Sequence, residues 1–289
     1  MSKQTVGFIG IGVMGKSMAS HIMKAGHSLV VYTRTKEKAR DLLEEGAVWA
    51  ESPKELADKV DIVISMVGYP RDVEEIYLGE NGIITNGREG LYIIDMTTSK
   101  PSLAKKLHIE GKKKGIKVLD APVSGGDIGA KNAKLAIMVG GDEEVFNEMR
   151  PVLAIMGDNI VYQGPAGAGQ HTKMCNQIVI ASNMVGVCEA IVYAEKAGLE
   201  PNKVLESIST GAAASWSLSN LAPRILNEDY SPGFFIKHFI KDMQIALDEA
   251  EAMDMETPGL SLSKKMYEQL NKNGEGDSGT QALYKYWQK

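Results

Sequence analysis

The sequence predicts an α/β protein in which a doubly wound, mostly parallel sheet is followed by an all-α domain. Three observations predict it. Short apolar runs alternate with amphipathic stretches from Thr5 to about Tyr162, the pattern of parallel strands joined by crossover helices. A glycine turn, Gly10-Ile11-Gly12-Val13-Met14-Gly15, directly follows the first apolar run. Past Gly164 the strand pattern stops and the remainder reads as helix. A chain of 289 residues exceeds what one hydrophobic core usually supports, so two domains are expected, 1–163 and 164–289.

In chain order, the expected strands are the apolar runs 6–9, 29–32, 62–66, 92–95, 117–120, 135–139 and 160–162. Between them the amphipathic stretches 15–25, 36–45, 53–59, 70–77, 101–114 and 143–156 read as helices. Pro53, Pro70 and Pro101 open three of these, where the missing N–H costs nothing and the fixed φ suits the first turn. The segment Gly164-Pro165-Ala166-Gly167-Ala168-Gly169 reads as a hinge. Helices follow over 168–197, 201–210, 216–226, 235–253 and 258–272. The first of them is long enough, at ~1.5 Å per residue, to serve as a spine between two domains. The polar, glycine-rich stretch 271–280 reads as a loop ahead of a last short helix.

Composition narrows the function. A chain 44% hydrophobic and 24% charged is ordinary for a soluble protein. Its net charge of -5 leaves no basic stripe for nucleic acid, and Lys112-Lys113-Lys114 reads as the solvated end of a helix. The longest apolar region, 178–197, is interrupted by Ser182, Asn183, Glu189 and Glu195. Those side chains are costly in lipid, so the region reads as a helix buried in protein rather than a membrane span. Cys175 and Cys188 are the only cysteines and form no C-x-x-C pair, which supports neither a disulfide framework nor structural zinc. With no signal-peptide pattern at the start, a cytoplasmic setting is expected. No cluster of carboxylates and histidines suggests a metal.

The glycine turn lies between a strand and an amphipathic helix, the context that makes G-x-G-x-x-G a dinucleotide fingerprint and the first domain Rossmann-type. Gly10 permits the tight turn, Gly12 lets a pyrophosphate approach the backbone, and Gly15 lets the helix pack closely. Val13 and Met14 carry the free N–H groups of the helix N-terminus that meet the phosphates. The second strand runs Val30-Val31-Tyr32-Thr33-Arg34-Thr35-Lys36 with no acid at its tip. Arg34 and Thr35 are therefore candidates for a 2′-phosphate, which favours NADP; if Arg34 merely stacks over adenine, NAD is usable as well. Met66 and Val67, at the end of another strand, are further cofactor candidates.

Two segments can handle a substrate. Ser124-Gly125-Gly126 stands after the strand 117–120, at the carboxyl edge where open parallel sheets bind ligands. Successive glycine N–H groups beside a serine hydroxyl suit a carboxylate. Lys173 lies on the spine helix with Asn176 at i+3 and Gln177 at i+4, all on one face. Desolvation can bring a lysine's pKa of ~10.4 towards neutrality, where it exchanges protons with a substrate hydroxyl. An adjacent amide can fix that hydroxyl through a donor and an acceptor. His171, at i−2, points elsewhere. Met174, Trp216, Leu218 and Phe234 are either core or the lining of a small apolar pocket.

Taken together these segments resemble the β-hydroxyacid dehydrogenase family, which includes 3-hydroxyisobutyrate dehydrogenases, tartronate and glyoxylate/succinic semialdehyde reductases, and 6-phosphogluconate dehydrogenases. The likeness covers nearly the whole chain. Gly10, Gly12, Met14 and Gly15 match the family's cofactor turn, Ser124, Gly125 and Gly126 its carboxylate segment, and Lys173 its catalytic lysine. The resemblance also implies nicotinamide-side roles for Thr98 and Lys241. Many members have Asn four residues after the lysine. This chain has Gln177 there, preceded by Asn176, so either amide is a candidate. The implied function is interconversion of a small β-hydroxy acid and its semialdehyde by hydride transfer with NADP or NAD, in a cleft between the sheet's carboxyl edge and the spine helix. A homodimer or homotetramer is expected. The competing readings are a silent nucleotide-binding scaffold or sensor, which would need neither Lys173 nor Ser124-Gly125-Gly126, an imine reductase and an oxidative decarboxylase.

Overall fold

The computed structural model describes residues 3–288; residues 1, 2 and 289, at the outer ends of the two expected domains, lie outside the described residues. The chain forms two compact units divided between Lys173 and Met174. In the first unit the order is β1 (Thr5–Ile9), α1 (Val13–Lys24), β2 (Ser28–Tyr32), a 3₁₀ turn (Lys36–Ala39), α2 (Arg40–Glu44), β3 (Val48–Trp49), α3 (Pro53–Asp58) and β4 (Ile62–Ser65). Then come α4 (Pro70–Leu78), α5 (Ile83–Asn86), β5 (Tyr92–Asp95), α6 (Pro101–Lys112), β6 (Lys117–Asp120), β7 (Val123–Ser124), α7 (Gly126–Lys131), β8 (Leu135–Gly140), α8 (Glu143–Leu153) and β9 (Gly157–Gly164).

These strands make one sheet in the order β3-β2-β1-β4-β5-β6-β8-β7, with β9 on β8. The strands from β3 to β6 are parallel, whereas β8 runs antiparallel to β6 and β7. Side chains alternate between faces. Phe8, Ile62, Ile64, Ile94 and Leu119 therefore join α1, α2 and α8 in one core. Ile9, Val63, Ile93 and Val118 join α3, α4, α5 and α6 in another. A parallel sheet covered on both sides needs apolar residues at nearly every position, which is why these strands read as unbroken apolar runs.

Pro53, Pro70 and Pro101 open α3, α4 and α6 as expected. Ser52 caps α3 by accepting from Glu55 N at 3.1 Å. The stretch expected as one helix over 36–45 starts as a 3₁₀ turn before becoming α2. Four short elements had no counterpart in the sequence reading, namely β3, β7, α5 and α7. Two-residue strands are too brief to show alternation, and α7 carries Gly126 and Gly129, which mask its helical character.

The spine α9 (Ala168–Lys196) begins in the first unit and continues into the second, which adds α10 (Pro201–Ile208), α11 (Trp216–Asn220), α12 (Ala222–Leu226), α13 (Ile236–Ala252), α14 (Pro258–Lys272) and a 3₁₀ segment, Thr280–Trp287. Its core gathers Met184, Cys188 and Ile191 of α9 with Phe239, Met243, Met266 and Tyr267. The helix expected over 216–226 is two short ones meeting at Leu221, with Pro223 in the first turn of the second. The stretch expected as a loop over 271–280 holds a 3₁₀ turn, Glu275–Asp277, tied by Lys285–Glu275 at 2.8 Å and Lys237–Asp277 at 2.5 Å. These ion pairs join residues distant in sequence, so local composition could not reveal them.

Candidate functional site

The carboxyl ends of the parallel strands in the first unit bring most of the sequence candidates to one edge. β1 ends in the glycine turn, and Gly10 N donates to Tyr32 O at 3.0 Å, so the tip of β2 leaves the sheet beside it. The three glycines differ in what surrounds them. Gly10 has φ +97°, and an added Cβ would lie 2.2 Å from Met66 O. At Gly15 an added Cβ would lie 1.9 Å from Gly10 O, whereas at Gly12 it would meet no atom within 4 Å. The space above Gly12 is open at the head of α1, with Val13 half exposed and Met14 partly buried against the core. Free backbone N–H groups at such a helix start can receive an anion.

Arg34 and Thr35 follow β2, and the Arg34 side chain is 76% exposed while reaching Asp72 at 3.3 Å. Lys36, next to them, lies 5.0 Å from the Trp49 ring centroid. Met66 and Val67 follow β4, where Met66 N donates to Ile9 O at 2.8 Å and Val67 N to Thr97 Oγ1 at 3.0 Å. Thr98 is the next residue after that partner. Ser124, Gly125 and Gly126 are partly buried where β7 turns into α7, with φ +128° and +62° at the two glycines. Only backbone without a Cβ adopts this turn cheaply.

Under this edge runs a buried polar lattice that sequence reasoning missed. Ser65 Oγ donates to Asp95 Oδ1 at 2.7 Å and so accepts from Tyr77 OH at 2.6 Å, while Thr97 N donates to the same carboxylate at 3.1 Å. Burial pushes Asp95 up to about 6 against the pull of these hydrogen bonds, and burial also drives Tyr77 well above its ordinary value. Asp120 accepts from Gly167 N at 2.8 Å and from Gln170 N at 2.9 Å. Burial raises its pKa, and those two donors oppose the rise. Its carboxylate thus caps α9 from another part of the chain, satisfying donors that a helix start leaves open. Lys173 sits on the next turn of α9 and is only 7% exposed. The available signal was an acid closing each of two apolar strands, Asp95 and Asp120, with no basic residue beside it in sequence.

In the second unit Gln177 is fully buried, donating to Asp242 Oδ2 at 2.6 Å and accepting from Asn176 Nδ2 at 2.7 Å. Lys241 Nζ stands 2.8 Å from Asp242 Oδ1. These hydrogen bonds and this ion pair join Asn176, Gln177, Asp242 and Lys241 into one cluster. Gln177 is held at both ends of its amide, and Asn176, partly buried, donates from one end of its own. Met174 and Leu218 are core, Phe234 packs 5.4 Å from Phe239, and Trp216 is exposed.

Residues 5–164 match the NAD binding domain of 6-phosphogluconate dehydrogenase, and residues 167–287 match the NAD-binding domain of NADP-dependent 3-hydroxyisobutyrate dehydrogenase. An uncharacterised oxidoreductase of Bacillus subtilis, YkwC, is 63% identical over 287 residues, 99% of this chain and 100% of that one. The 2-hydroxy-3-oxopropionate reductase of Escherichia coli is 37% identical over 278 residues, 96% of this chain and 95% of that one. The solved structure of Mycobacterium tuberculosis 3-hydroxyisobutyrate dehydrogenase with L-serine superposes with a TM-score of 0.89 at 31% identity, covering 98% of each chain.

Proposed function

The chain belongs to the β-hydroxyacid dehydrogenase family of NAD(P)-dependent oxidoreductases, and on that premise we propose that it interconverts a small β-hydroxy acid and its semialdehyde with NADP, Lys173 exchanging the proton. The observation that carries the assignment is Lys173, a residue only 7% exposed on a helix turn fixed to the sheet's carboxyl edge. Burying a lysine is costly, and such groups concentrate at functional sites.

When bound, the nicotinamide supplies or takes back the hydride. In the direction of reduction, Lys173 Nζ gives a proton to the aldehyde oxygen as that oxygen becomes an alkoxide. In oxidation the amine recovers the proton as the carbon–oxygen double bond forms. Ser124 with the N–H groups of Gly125 and Gly126 holds the carboxylate, and Asn176 aligns the hydroxyl, since Gln177 is spent on Asp242. Gly10, Gly12, Val13, Met14 and Gly15 receive the pyrophosphate. Arg34 and Thr35 receive the 2′-phosphate, where Arg34 exchanges Asp72 for the stronger anion. Met66, Val67 and Thr98 complete the cofactor's surroundings on the first unit, and the family resemblance gives Lys241 a nicotinamide-side role. We take the setting to be the cytoplasm and the assembly to be a homodimer or homotetramer. Support for the first is the pair of free thiols, Cys175 exposed and Cys188 buried with its pKa raised by desolvation.

The test is a 340 nm assay of glyoxylate, succinic semialdehyde, tartronate semialdehyde and methylmalonate semialdehyde, with NADPH and NADH separately. Lys173→Ala should lower kcat by about 10²-fold or more while NADPH affinity changes little. Unchanged turnover removes Lys173 from the chemistry.

A further inference from the structure

Gln170 is fully buried, and every polar group of its side chain and its backbone N–H faces a specific partner. Its Nε2 donates to Thr97 O at 2.7 Å and its Oε1 accepts from Ser99 N at 2.9 Å. One amide thus reads two backbone groups flanking Thr98, as a neighbouring strand would. Its own N–H donates to Asp120 Oδ2. Packing here is close, because an added Cβ at the adjacent Gly169 would lie 2.4 Å from Met138 O and 2.6 Å from Asp120 O.

The two ties are not equivalent. Asp120 bonds the backbone of Gly167 and Gln170, and so holds the start of α9 whatever side chain position 170 carries. The Gln170 amide instead fixes how that helix start is rotated and set along the loop after β5. Lys173 is three residues on, over the same face. The loop is tied in turn to the glycine turn: Thr97 Oγ1 accepts from Val67 N, and Met66 O lies against Gly10. A continuous run of hydrogen bonds and contacts therefore leads from Gly10 through Met66, Val67, Thr97 and Gln170 to the turn bearing Lys173.

We infer that Gln170 is a positioning residue for the proton transfer, setting the Lys173 turn against the loop 97–99 by its paired hydrogen bonds. This rests on the proposed role of Lys173. A displacement of about 1 Å at a reacting group can cost about 10²-fold in rate, so the effect belongs in kcat rather than in binding.

Gln170→Met keeps the length of the side chain and removes both hydrogen bonds. It should lower kcat about 30-fold or more on the semialdehyde turned over fastest in the panel, with KM and NADPH affinity changed less than about threefold. Gln170→Glu supplies the control that a merely structural role would not pass. As a carboxylate it cannot donate to Thr97 O, but once protonated it can, and burial raises the pH at which that happens. Its kcat relative to wild type at the same pH should therefore recover between pH 8 and pH 5.5, whereas that of Gln170→Met stays flat. In a Lys173→Ala background, Gln170→Met should slow the residual reaction no further, because coupled residues are not additive.

Gln170→Met with near-normal kcat, a flat ratio for Gln170→Glu, or an additive double variant each overturns the inference. Full activity of Lys173→Ala would instead overturn the proposed function. If no semialdehyde is turned over, amide hydrogen exchange decides. Gln170→Met should speed exchange about tenfold in 97–99 and 168–173 but not elsewhere in the sheet; unchanged exchange there refutes the coupling.

Discussion

Asp95 closes β5 with its carboxyl group buried among Ser65, Tyr77 and Thr97. Its pKa stands at about 6 against an ordinary 3.8, with burial the cause. The folded protein therefore holds this proton more tightly than the unfolded chain between about pH 4 and 6. Stability contributed by this group is fully present below the lower value and falls as pH rises through the upper one. At ~1.4 kcal/mol per unit, the loss by pH 7.5 is about 3 kcal/mol at most. Asp95→Asn cannot titrate, yet its Oδ1 still accepts from Ser65 and Thr97. The melting temperature of the variant relative to wild type should therefore be higher at pH 7.5 than at pH 4.5, as calorimetry at both values would report. A difference independent of pH would mean that Asp95 does not change protonation in that range.

The turn from β1 into α1 separates the demands of folding from those of binding. At Gly15 a methyl group would collide with Gly10 O, but at Gly12, with φ −93° and open space beyond, it would touch nothing in the protein. Gly12→Ala should leave the melting temperature within about 2 °C of wild type, since substitutions away from packed features stay within ~0.5 kcal/mol. NADPH affinity measured by fluorescence titration should nevertheless weaken tenfold or more, because the methyl group would occupy the phosphate's approach. Undiminished affinity would show that the pyrophosphate does not cross Gly12. This turn was legible in the sequence because its constraints act over six neighbouring residues. The same holds for the strands buried on both faces and for the proline-led helices. Lys173 stood out by its glycine-rich approach and apolar helix. Asp120 and Gln170 did not, because the contact joining them spans 50 residues and neither position carries a local periodic signal. Likewise, the hydrogen bond from Gln177 to Asp242 spans 65 residues, and only the fold shows which of two adjacent amides bonds that carboxylate.

At the scale of the molecule, α9 is more apolar than the packing of its buried face requires. Its 29 residues are long and apolar enough to cross a membrane by length and hydropathy alone. Met174, Ala181, Met184, Val185, Val187, Cys188 and Ile191 account for part of this by packing into the core of the second unit. The exposed residues Cys175, Val179, Ser182, Gly186, Glu189 and Tyr193 form one stripe at alternating steps of four and three. In the proposed homo-oligomer that spacing would suit the seam of two packed helices, where Ser182 with Gly186 at its centre would let backbones approach closely. Glu189 within the stripe disfavours lipid as the partner. Val179 and Tyr193, 67% and 73% exposed, are the large side chains that a second copy of the chain would bury in the proposed homo-oligomer. Val179→Glu would place a charge in that seam while disturbing little of the unit's own core, since the side chain already faces outward. Light scattering should then find the wild type at a multiple of 31.3 kDa and the variant at 31.3 kDa, with the same circular dichroism. A wild type that already runs as a single chain, or a variant whose mass is unchanged, would remove this stripe as the interface.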